Sequence, residues 1–364
     1  MENELLYQLA LSYTPGVGNV NHRKLIQHFG SARKVWGLEK SEKIKIPGIS
    51  AKIANAIGDN QYLELAQAEL EKGKLKNIKP LEIQSESYPF LLKECIDAPP
   101  VIFTKGNVNL NEGKFLAIVG TRKMTSRGRN FIEQLIKELA AYPITIVSGL
   151  AFGVDITAHQ ASLENHLPTI GVMAHGLNQI NPKAHTAVAG KMLETGGVVS
   201  EFSTFHQAEP QNFLRRNRII AGLSHATIVV ESRIAGGAMS TARHANAYNR
   251  DVFAMPGRIT DEQSAGCHHL IKNHQAFLIT EAADVLKYLG FKKEKNQKKQ
   301  RELFVELTEN QSKIYECLKE KASLHIDEIS TSTGLATFQI MPILLDLELK
   351  NLIKPLPGKK YEIL

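Results

Sequence analysis

The chain has 364 residues, of which 43% are hydrophobic, and its 44 basic and 37 acidic side chains give a formal net charge of +7. That length predicts two or three domains with a sizeable buried core. No apolar run reaches the roughly 18 residues of a membrane span, and the acidic residues 1–4 lack the pattern of a secretory signal. We therefore expect a cytoplasmic protein with no membrane partner.

The positive charge is unevenly distributed along the chain. Residues 1–80 carry 12 basic and 8 acidic side chains, whereas residues 81–290 carry 19 and 18. Residues 291–303 carry 6 and 2, and residues 304–364 carry 7 and 9. Affinity for an anion in residues 81–290 must therefore come from a local cluster of basic side chains. The net negative charge of residues 304–364 is unfavourable for binding nucleic acid.

Residues 1–80 read as a small helical domain of the helix-hairpin-helix or SAM-like type. Its two glycine turns are Thr14-Pro15-Gly16-Val17-Gly18 and Ile46-Pro47-Gly48-Ile49-Ser50. Glycine in such a turn lets backbone N–H groups at the next helix approach a phosphate without reading the base sequence. A helical domain used only for packing or for protein contact explains the same pattern equally well.

Residues 81–290 alternate short apolar runs with amphipathic helical stretches. The runs are residues 115–119, 144–147, 169–173, 198–200, 226–230 and 252–254. This alternation predicts an α/β domain with a Rossmann-like parallel sheet. The lysine- and glutamine-rich residues 291–303 have no apolar period and are predicted to be a basic linker.

Three glycine turns follow predicted strands, at residues 119–129, 148–155 and 236–241. Strand ends of a parallel sheet meet at one edge, so the turns are expected to share a crevice. Gly120 would let the backbone approach an anion, and the following helix start would add N–H donors. Each turn alone is also explained by tight packing between a strand and a helix.

The run Phe213-Leu214-Arg215-Arg216-Asn217-Arg218 places three arginines and an amide just before the apolar strand at residues 226–230. The planar guanidinium fork matches phosphate oxygens, and Asn217 adds a donor and an acceptor. The segment is therefore predicted to bind phosphate on a supported element. A solvated helix face with structural ion pairs is the alternative.

Residues 304–364 read as a winged-helix domain, with helices followed by a strand pair. The helix in the position of a recognition helix begins Ala336-Thr337-Phe338-Gln339-Ile340, without arginine or lysine where base edges would be read. Lys350, Lys354, Lys359 and Lys360 are the side chains that could contact phosphate from the wing. A protein-contact or structural role is favoured over DNA binding for this domain.

Patterns for enzyme chemistry are missing. The sequence has neither the Gly-x-x-x-x-Gly-Lys-Ser/Thr run of a nucleotide hydrolase nor a Gly-x-Gly-x-x-Gly run opening the sheet. Cys95, Cys267 and Cys317 are far apart and show no zinc spacing. We predict no catalytic residue, no metal and no cofactor, and we assign Asp155 and His159 to capping or packing.

The ordered combination of these motifs resembles the DNA-processing protein A family (DprA, also called Smf). The resemblance covers roughly residues 85–290 and rests on residues 148–159, 200–201, 216–223, 256–257 and 264–266. It implies a protein of natural bacterial transformation that binds single-stranded DNA, protects incoming DNA and loads the RecA recombinase, without catalytic turnover. Homodimerisation is expected, because two linked sites raise the apparent affinity of a modest one.

The resemblance also implies a set of DNA-binding residues in this chain. These are Gly120, Arg122, Phe213, Arg216, Asn217 and Arg218. Arg127 is added from its charge alone. The three arginines Arg122, Arg216 and Arg218 are expected to hold successive phosphates, and Phe213 to stack on a base. The chain departs from the family pattern at Phe152, where an arginine is usual.

Two further functions stay open from the sequence. An enzyme that cleaves nucleoside monophosphates has a similar sheet domain, but Arg243 stands in this chain where such an enzyme has its catalytic glutamate. A nucleotide-binding Rossmann-like sensor without turnover is the other alternative, and tight mononucleotide binding that displaces no DNA would favour it.

Overall fold

The structure is a computed structural model that describes residues 2–107, 109–291, 307–319, 323–350, 352–356 and 358–363. It contains two compact units, Met1–Lys293 and Glu294–Leu364. The predicted linker at residues 291–303 lies outside the described residues except for Phe291. The predicted domain boundaries stay predictions. Among the described helices, none has both the length and the hydropathy needed to cross a bilayer.

The first unit begins with short helices joined by glycine turns. They are α1 Glu2–Tyr13, α2 Asn19–Phe29, α3 Ala32–Gly37, α4 Lys40–Lys43, α5 Ala51–Ala56 and α6 Asn60–Leu75. Gly16 and Gly48 lie in the two predicted turns with φ of 83° and 96°, values that favour glycine. The Asn21 side-chain amide donates to both of their carbonyl oxygens, at 3.2 and 3.4 Å. The two hairpins are thus joined through their turns, and their contact with DNA stays a prediction.

A nine-stranded sheet forms the rest of the first unit. Its strands are β1 Lys79–Glu82, β2 Val101–Gly106, β3 Lys114–Val119, β4 Ile144–Ser148, β5 Thr169–Met173, β6 Gly197–Ser200, β7 Ala226–Val229, β8 Asp251–Ala254 and β9 Phe277–Leu278. Their order is β1-β2-β6-β5-β4-β3-β7-β8-β9. The strands from β6 to β9 in this order are parallel, whereas β2 pairs antiparallel with β1 and β6. The predicted Rossmann-like sheet is confirmed.

Helices cover both faces of this sheet. They are α7 Phe90–Lys93, α8 Ser126–Leu139, α9 Val154–Glu164, α10 Thr186–Thr195, α11 Pro210–Gly222, α12 Gly237–Ala247, α13 Ala265–Lys272 and α14 Ala282–Leu286. Alternate residues of β3 enter different cores: Ala117 and Val119 share one with α11 and α12, whereas Leu116 and Ile118 share another with α8. Burial of both faces explains why the strands read as continuous apolar runs.

The order of the strands reverses at β3. Strands β4, β5 and β6 follow on one side of β3, and β7, β8 and β9 follow on the other. In an open parallel sheet, a crevice forms outside the carboxyl ends of the strands at such a switch point. The glycine turns at residues 119–129 and 236–241 both belong to this region of the sheet.

The second unit has the helix and strand order of a winged helix. Its elements are α15 Glu309–Lys319, β10 Leu324–His325, α16 Ile326–Thr333, α17 Thr337–Leu349, β11 Ile353–Leu356 and β12 Lys360–Ile363. The strands form a sheet in the order β10-β12-β11. The predicted winged helix is confirmed. Two of the lysines named for phosphate contact are in ion pairs, Lys350 with Asp346 and Lys354 with Glu362.

Candidate nucleic-acid interface

A cavity of about 580 Å³ opens at the carboxyl ends of β3 and β7, at the switch point. Its walls come from residues 119–123 after β3, from one side of α11 and from residues 232–238 around the start of α12. The basic side chains on its lining are Arg122, Lys123, Arg216 and Arg233, and Asp155 is the acidic one. The cavity therefore carries a local excess of positive charge in a domain whose total charge is nearly balanced.

Gly120 is needed because three chain segments meet at the end of β3. A Cβ atom there would lie 2.9 Å from the carbonyl oxygen of Glu231 and 3.0 Å from the Cβ of Val154. Thr121 N–H also donates to that Glu231 oxygen, at 2.6 Å. Gly120 lines the cavity as predicted, and close packing of the neighbouring loops is a structural reason for glycine at this position.

The start of α8 is held by a side-chain cap and by a buried carboxylate. The Thr125 side chain caps this helix by accepting from Gly128 N–H at 3.2 Å. The buried carboxylate of Glu231 accepts from Thr125 N–H at 2.9 Å and from the Thr125 hydroxyl at 2.5 Å. A protein carboxylate thus satisfies the N–H of the capping residue, and helix starts favour such a negative charge. The expectation that N–H groups at the start of α8 contact a phosphate stays a prediction.

Arg122 and Phe213 form the exposed part of the cavity. The Arg122 guanidinium lies over the Phe213 ring, with its central carbon 5.5 Å from the ring centroid. Arg122 is exposed and Phe213 is half-buried. No carboxylate of the described residues lies within 4.0 Å of the Arg122 guanidinium. This pair therefore offers a cation free to bind an anion beside an aromatic ring.

Arg216 forms the floor of the cavity and is only 4% exposed. Its Nη1 donates to the carbonyl oxygen of Gly149, at 2.8 Å, and to that of Val172. A Cβ on Gly149 would lie within 2.6 Å of the guanidinium, so this close contact requires glycine. Burial lowers the pKa of Arg216 to about 10, against the opposing charge of Asp155, so the guanidinium stays protonated at neutral pH.

Asp155 and Asn217 complete the polar floor. The Asp155 carboxylate accepts from the N–H groups of Gly149 and Ala151, at 3.1 and 3.4 Å, and burial raises the pKa of this carboxyl. Asn217 donates to the carbonyl oxygen of Gly237 at 3.2 Å and accepts from Arg216 Nε at 3.3 Å. These hydrogen bonds hold the glycine turns after β4 and β7 to α11, which fixes the shape of the cavity.

The structure brings together Gly120, Arg122, Phe213, Arg216 and Asn217 of the predicted set, but it places Arg218 elsewhere. The Arg218 guanidinium is in a buried ion pair with Glu201, at 2.5 Å, and donates to the carbonyl oxygen of Asp97 at 2.6 Å. Residues two apart on a helix point in different directions, so Arg216 and Arg218 cannot both line one cavity. The expectation that Arg218 holds the next phosphate needs correction on this ground.

Arg127 also lies outside the cavity lining. Its Nη2 pairs with Asp261 at 2.9 Å and contacts the Ser264 hydroxyl at 3.5 Å. Arg233, which is not among the predicted residues, lines the cavity and pairs with Glu262 at 2.9 Å. Its position shortly after β7 was the available signal, because that strand ends at the same edge as β3.

Sequence comparison gives two matching family models. The model described as DNA recombination-mediator protein A matches residues 79–290, and the model described as DprA winged helix domain matches residues 301–359. Protein Smf of a Synechocystis species is 30% identical, with 99% of each chain covered. DNA processing protein DprA of Streptococcus pneumoniae is 38% identical over 65% of this chain and 83% of its own length.

The solved structures that resemble this one include two of DNA processing protein A. The X-ray structure of DNA processing protein A from Streptococcus pneumoniae matches with a TM-score of 0.68 and 33% identity, over 78% of this chain and 97% of that one. A structure from Helicobacter pylori, reported for the single-stranded DNA binding mode of its DNA processing protein A, matches with a TM-score of 0.53 and 29% identity. That match covers 58% of this chain and 95% of the other.

Proposed function

Because the chain belongs to the DNA recombination-mediator protein A family, we propose that it binds single-stranded DNA in the cavity at the carboxyl ends of β3 and β7. The observation that carries this proposal is the Arg122 guanidinium, free of carboxylate partners among the described residues, 5.5 Å from the Phe213 ring. The Helicobacter pylori relative, reported for its single-stranded DNA binding mode, supports the assignment.

In this proposal, basic side chains contact phosphates and an aromatic side chain stacks on a base, and both kinds of contact tolerate any base sequence. Arg122 and Lys123 hold phosphates at the rim of the cavity, and Phe213 stacks on a base. Arg216 and Asn217 act mainly through the glycine turns that they hold in place. Arg216 Nη2 makes no hydrogen bond to the described residues, so the floor retains donors for a ligand.

We further infer that the protein acts in the cytoplasm in natural transformation, as a homodimer that protects incoming single strands and loads RecA on them. No turnover is needed for this role. Arg243, at the position of the catalytic glutamate in nucleoside-monophosphate-cleaving relatives, is exposed on α12 and is not part of the cavity lining. The Asp155 carboxylate is hydrogen-bonded to two backbone amides, which supports a structural role over a general-base role.

Fluorescence anisotropy of a labelled oligothymidine and its duplex, across a salt series, tests the binding proposal. We expect preference for the single strand and a slope of log K against log salt of about −0.7 per neutralised phosphate. Equal binding to both forms at every salt concentration would overturn the proposal. A mononucleotide that binds tightly without displacing the oligonucleotide would instead favour the sensor. RecA filament assembly on strands covered by a single-stranded DNA-binding protein, with and without this protein, tests loading.

A further inference from the structure

We propose that Phe152 forms a second base-stacking position for a single strand, next to the position of Phe213. This inference rests on the proposed function and adds a subsite to it. Phe152 lies in the turn that joins β4 to α9, at the same sheet edge as the cavity, and its side chain is 49% exposed. The neighbouring Ala151 and Asp155 both line the cavity, whereas Phe152 is outside its lining.

The turn that carries Phe152 is packed directly against the loop that carries Arg122. Val154 N–H donates to the carbonyl oxygen of Thr121 at 3.2 Å. Gly153 has φ of 77°, and a Cβ there would overlap that carbonyl and lie 2.7 Å from the carbonyl carbon of Arg122. The backbone of the turn that carries Phe152 thus contacts the backbone of the loop that carries Arg122, and in this proposal a strand held by Arg122 continues across that turn to the Phe152 ring.

The Phe152 ring is also supported within the protein. The His185 ring meets it edge to face, with centroids 4.7 Å apart and an interplanar angle of 69°. His185 is buried, and its Nδ1 is 2.8 Å from the carbonyl oxygen of Leu150 in the same turn. A ring that is held by a buried neighbour and is still half-exposed needs little further ordering to receive a base, which lowers the entropy cost of binding.

The chemistry of this ring fits a base better than a phosphate. Phenylalanine carries no charge and no hydrogen-bonding group, so it contributes through its aromatic face, which every base can stack on. The contribution of Phe152 to affinity should therefore be independent of salt, whereas that of Arg122 should fall as salt rises. This difference separates a stacking residue from one that acts through charge.

The test measures oligothymidine anisotropy across a salt series for the wild type and for Phe152→Ala, Phe152→Leu and Phe152→Arg. Phe152→Leu keeps apolar bulk against His185 but removes the aromatic face. We expect Phe152→Ala and Phe152→Leu to weaken binding by about 5-fold to 150-fold, the range of one stacked base, with an unchanged salt slope. Phe152→Arg should regain affinity at low salt with a slope steeper by about 0.7.

A matched control and a modified strand complete the experiment. Phe90→Ala removes another exposed phenylalanine, which is 63% exposed. The Phe90 N–H donates to the side-chain oxygen of Asn111, which lies shortly before the amino end of β3 and so away from the cavity. It should bind as the wild type does. On an oligonucleotide of abasic sites, which has phosphates but no bases, Phe152→Ala and the wild type should bind equally.

The outcomes separate the two levels of the proposal. If the wild type prefers single strands but folded Phe152→Ala and Phe152→Leu bind oligothymidine as tightly as it does, the stacking position is wrong and the proposed function stands. The position is also wrong if Phe152→Ala loses as much affinity on the abasic strand as on oligothymidine. If the wild type does not bind oligothymidine, both proposals fail.

Discussion

The basic side chains around α11 occupy two regions that the sequence does not distinguish. At the cavity rim, Arg122 is exposed and makes no ion pair with the described residues. In the interior, the Arg218 side chain is 8% exposed and its charge is matched by Glu201, which is 2% exposed. A cation in the first region is available to a ligand, whereas a cation in the second is committed to the fold. Burial and carboxylate partners, rather than arginine density, decide which arginines can bind DNA.

The largest predicted effect tests the interior region. Replacing Arg218 with alanine removes the buried 2.5 Å partner of the Glu201 carboxylate and leaves it only the half-exposed Arg215, at 3.0 Å. Breaking a buried ion pair in this way costs about 3 to 5 kcal/mol. We therefore expect urea denaturation to show a loss of that size in the free energy of unfolding for Arg218→Ala, with single-strand affinity of the folded protein close to that of the wild type.

Arg215 provides the matched control, because it pairs with the same Glu201 oxygen at 3.0 Å but is 54% exposed. Exposed ion pairs contribute about 0.2 to 1 kcal/mol, so Arg215→Ala should change stability little. The comparison between interior and rim breaks down if Arg218→Ala is as stable as the wild type and binds single strands weakly with a shallower salt slope. That result would mean that the ion pair opens and Arg218 contacts phosphate.

The second prediction tests the rim. Arg122→Ala should weaken oligothymidine binding by about 1.5 to 3 kcal/mol, the contribution of a hydrogen bond to a charged group. The salt slope should become shallower by about 0.7, and the free energy of unfolding should change by less than about 0.5 kcal/mol. Anisotropy in a salt series and urea denaturation of the same preparations measure both quantities.

Lys137→Ala serves as the charge control, since it removes one exposed cation from the last turn of α8, at the other end of that helix from the cavity. It should leave affinity and salt slope nearly unchanged. Equal losses of affinity in Arg122→Ala and Lys137→Ala would indicate that only the net charge of the protein matters, and the assignment of the rim as the binding site would then be wrong.

The sheet could be predicted from the sequence because its determinants are local. The apolar run at residues 169–173 coincides with β5, and each of its residues is buried, as expected for a central parallel strand. The run predicted at residues 226–230 becomes β7 at Ala226–Val229. Strand length and burial follow from the residue pattern itself, so the six predicted runs differ from the observed strands only at their ends, whereas the three strands β1, β2 and β9 were not predicted.

The positions of Arg127 and Arg218 outside the cavity could not be predicted, because their determinants are long-range. The carboxylate partner of Arg218 is 17 residues away in the sequence, and its carbonyl partner, Asp97, is 121 residues away. Glu231 reaches the start of α8 across a separation of 106 residues. The helical period was available in the sequence and separates Arg216 from Arg218, but only the fold shows which of them faces the cavity.

The smallest predicted effect concerns two neighbouring carboxylates, one paired with an arginine outside the cavity lining and the other with an arginine on it. Asp261 pairs with Arg127, outside the cavity lining, and Glu262 pairs with Arg233, on the lining, each at 2.9 Å. Both pairs are substantially exposed, so Asp261→Asn and Glu262→Gln should each lower the free energy of unfolding by less than about 1 kcal/mol. The isosteric amides remove charge while leaving the side-chain shape in place.

The two variants should nevertheless differ in DNA binding. Glu262→Gln frees a cation on the cavity lining, so the single-strand salt slope should steepen by up to about 0.7, whereas Asp261→Asn frees a cation outside it and should leave the slope unchanged. Anisotropy of oligothymidine at several salt concentrations measures the difference. If Asp261→Asn steepens the slope as much as Glu262→Gln does, the strand extends past the cavity to Arg127, and the residue added from charge alone contacts DNA after all.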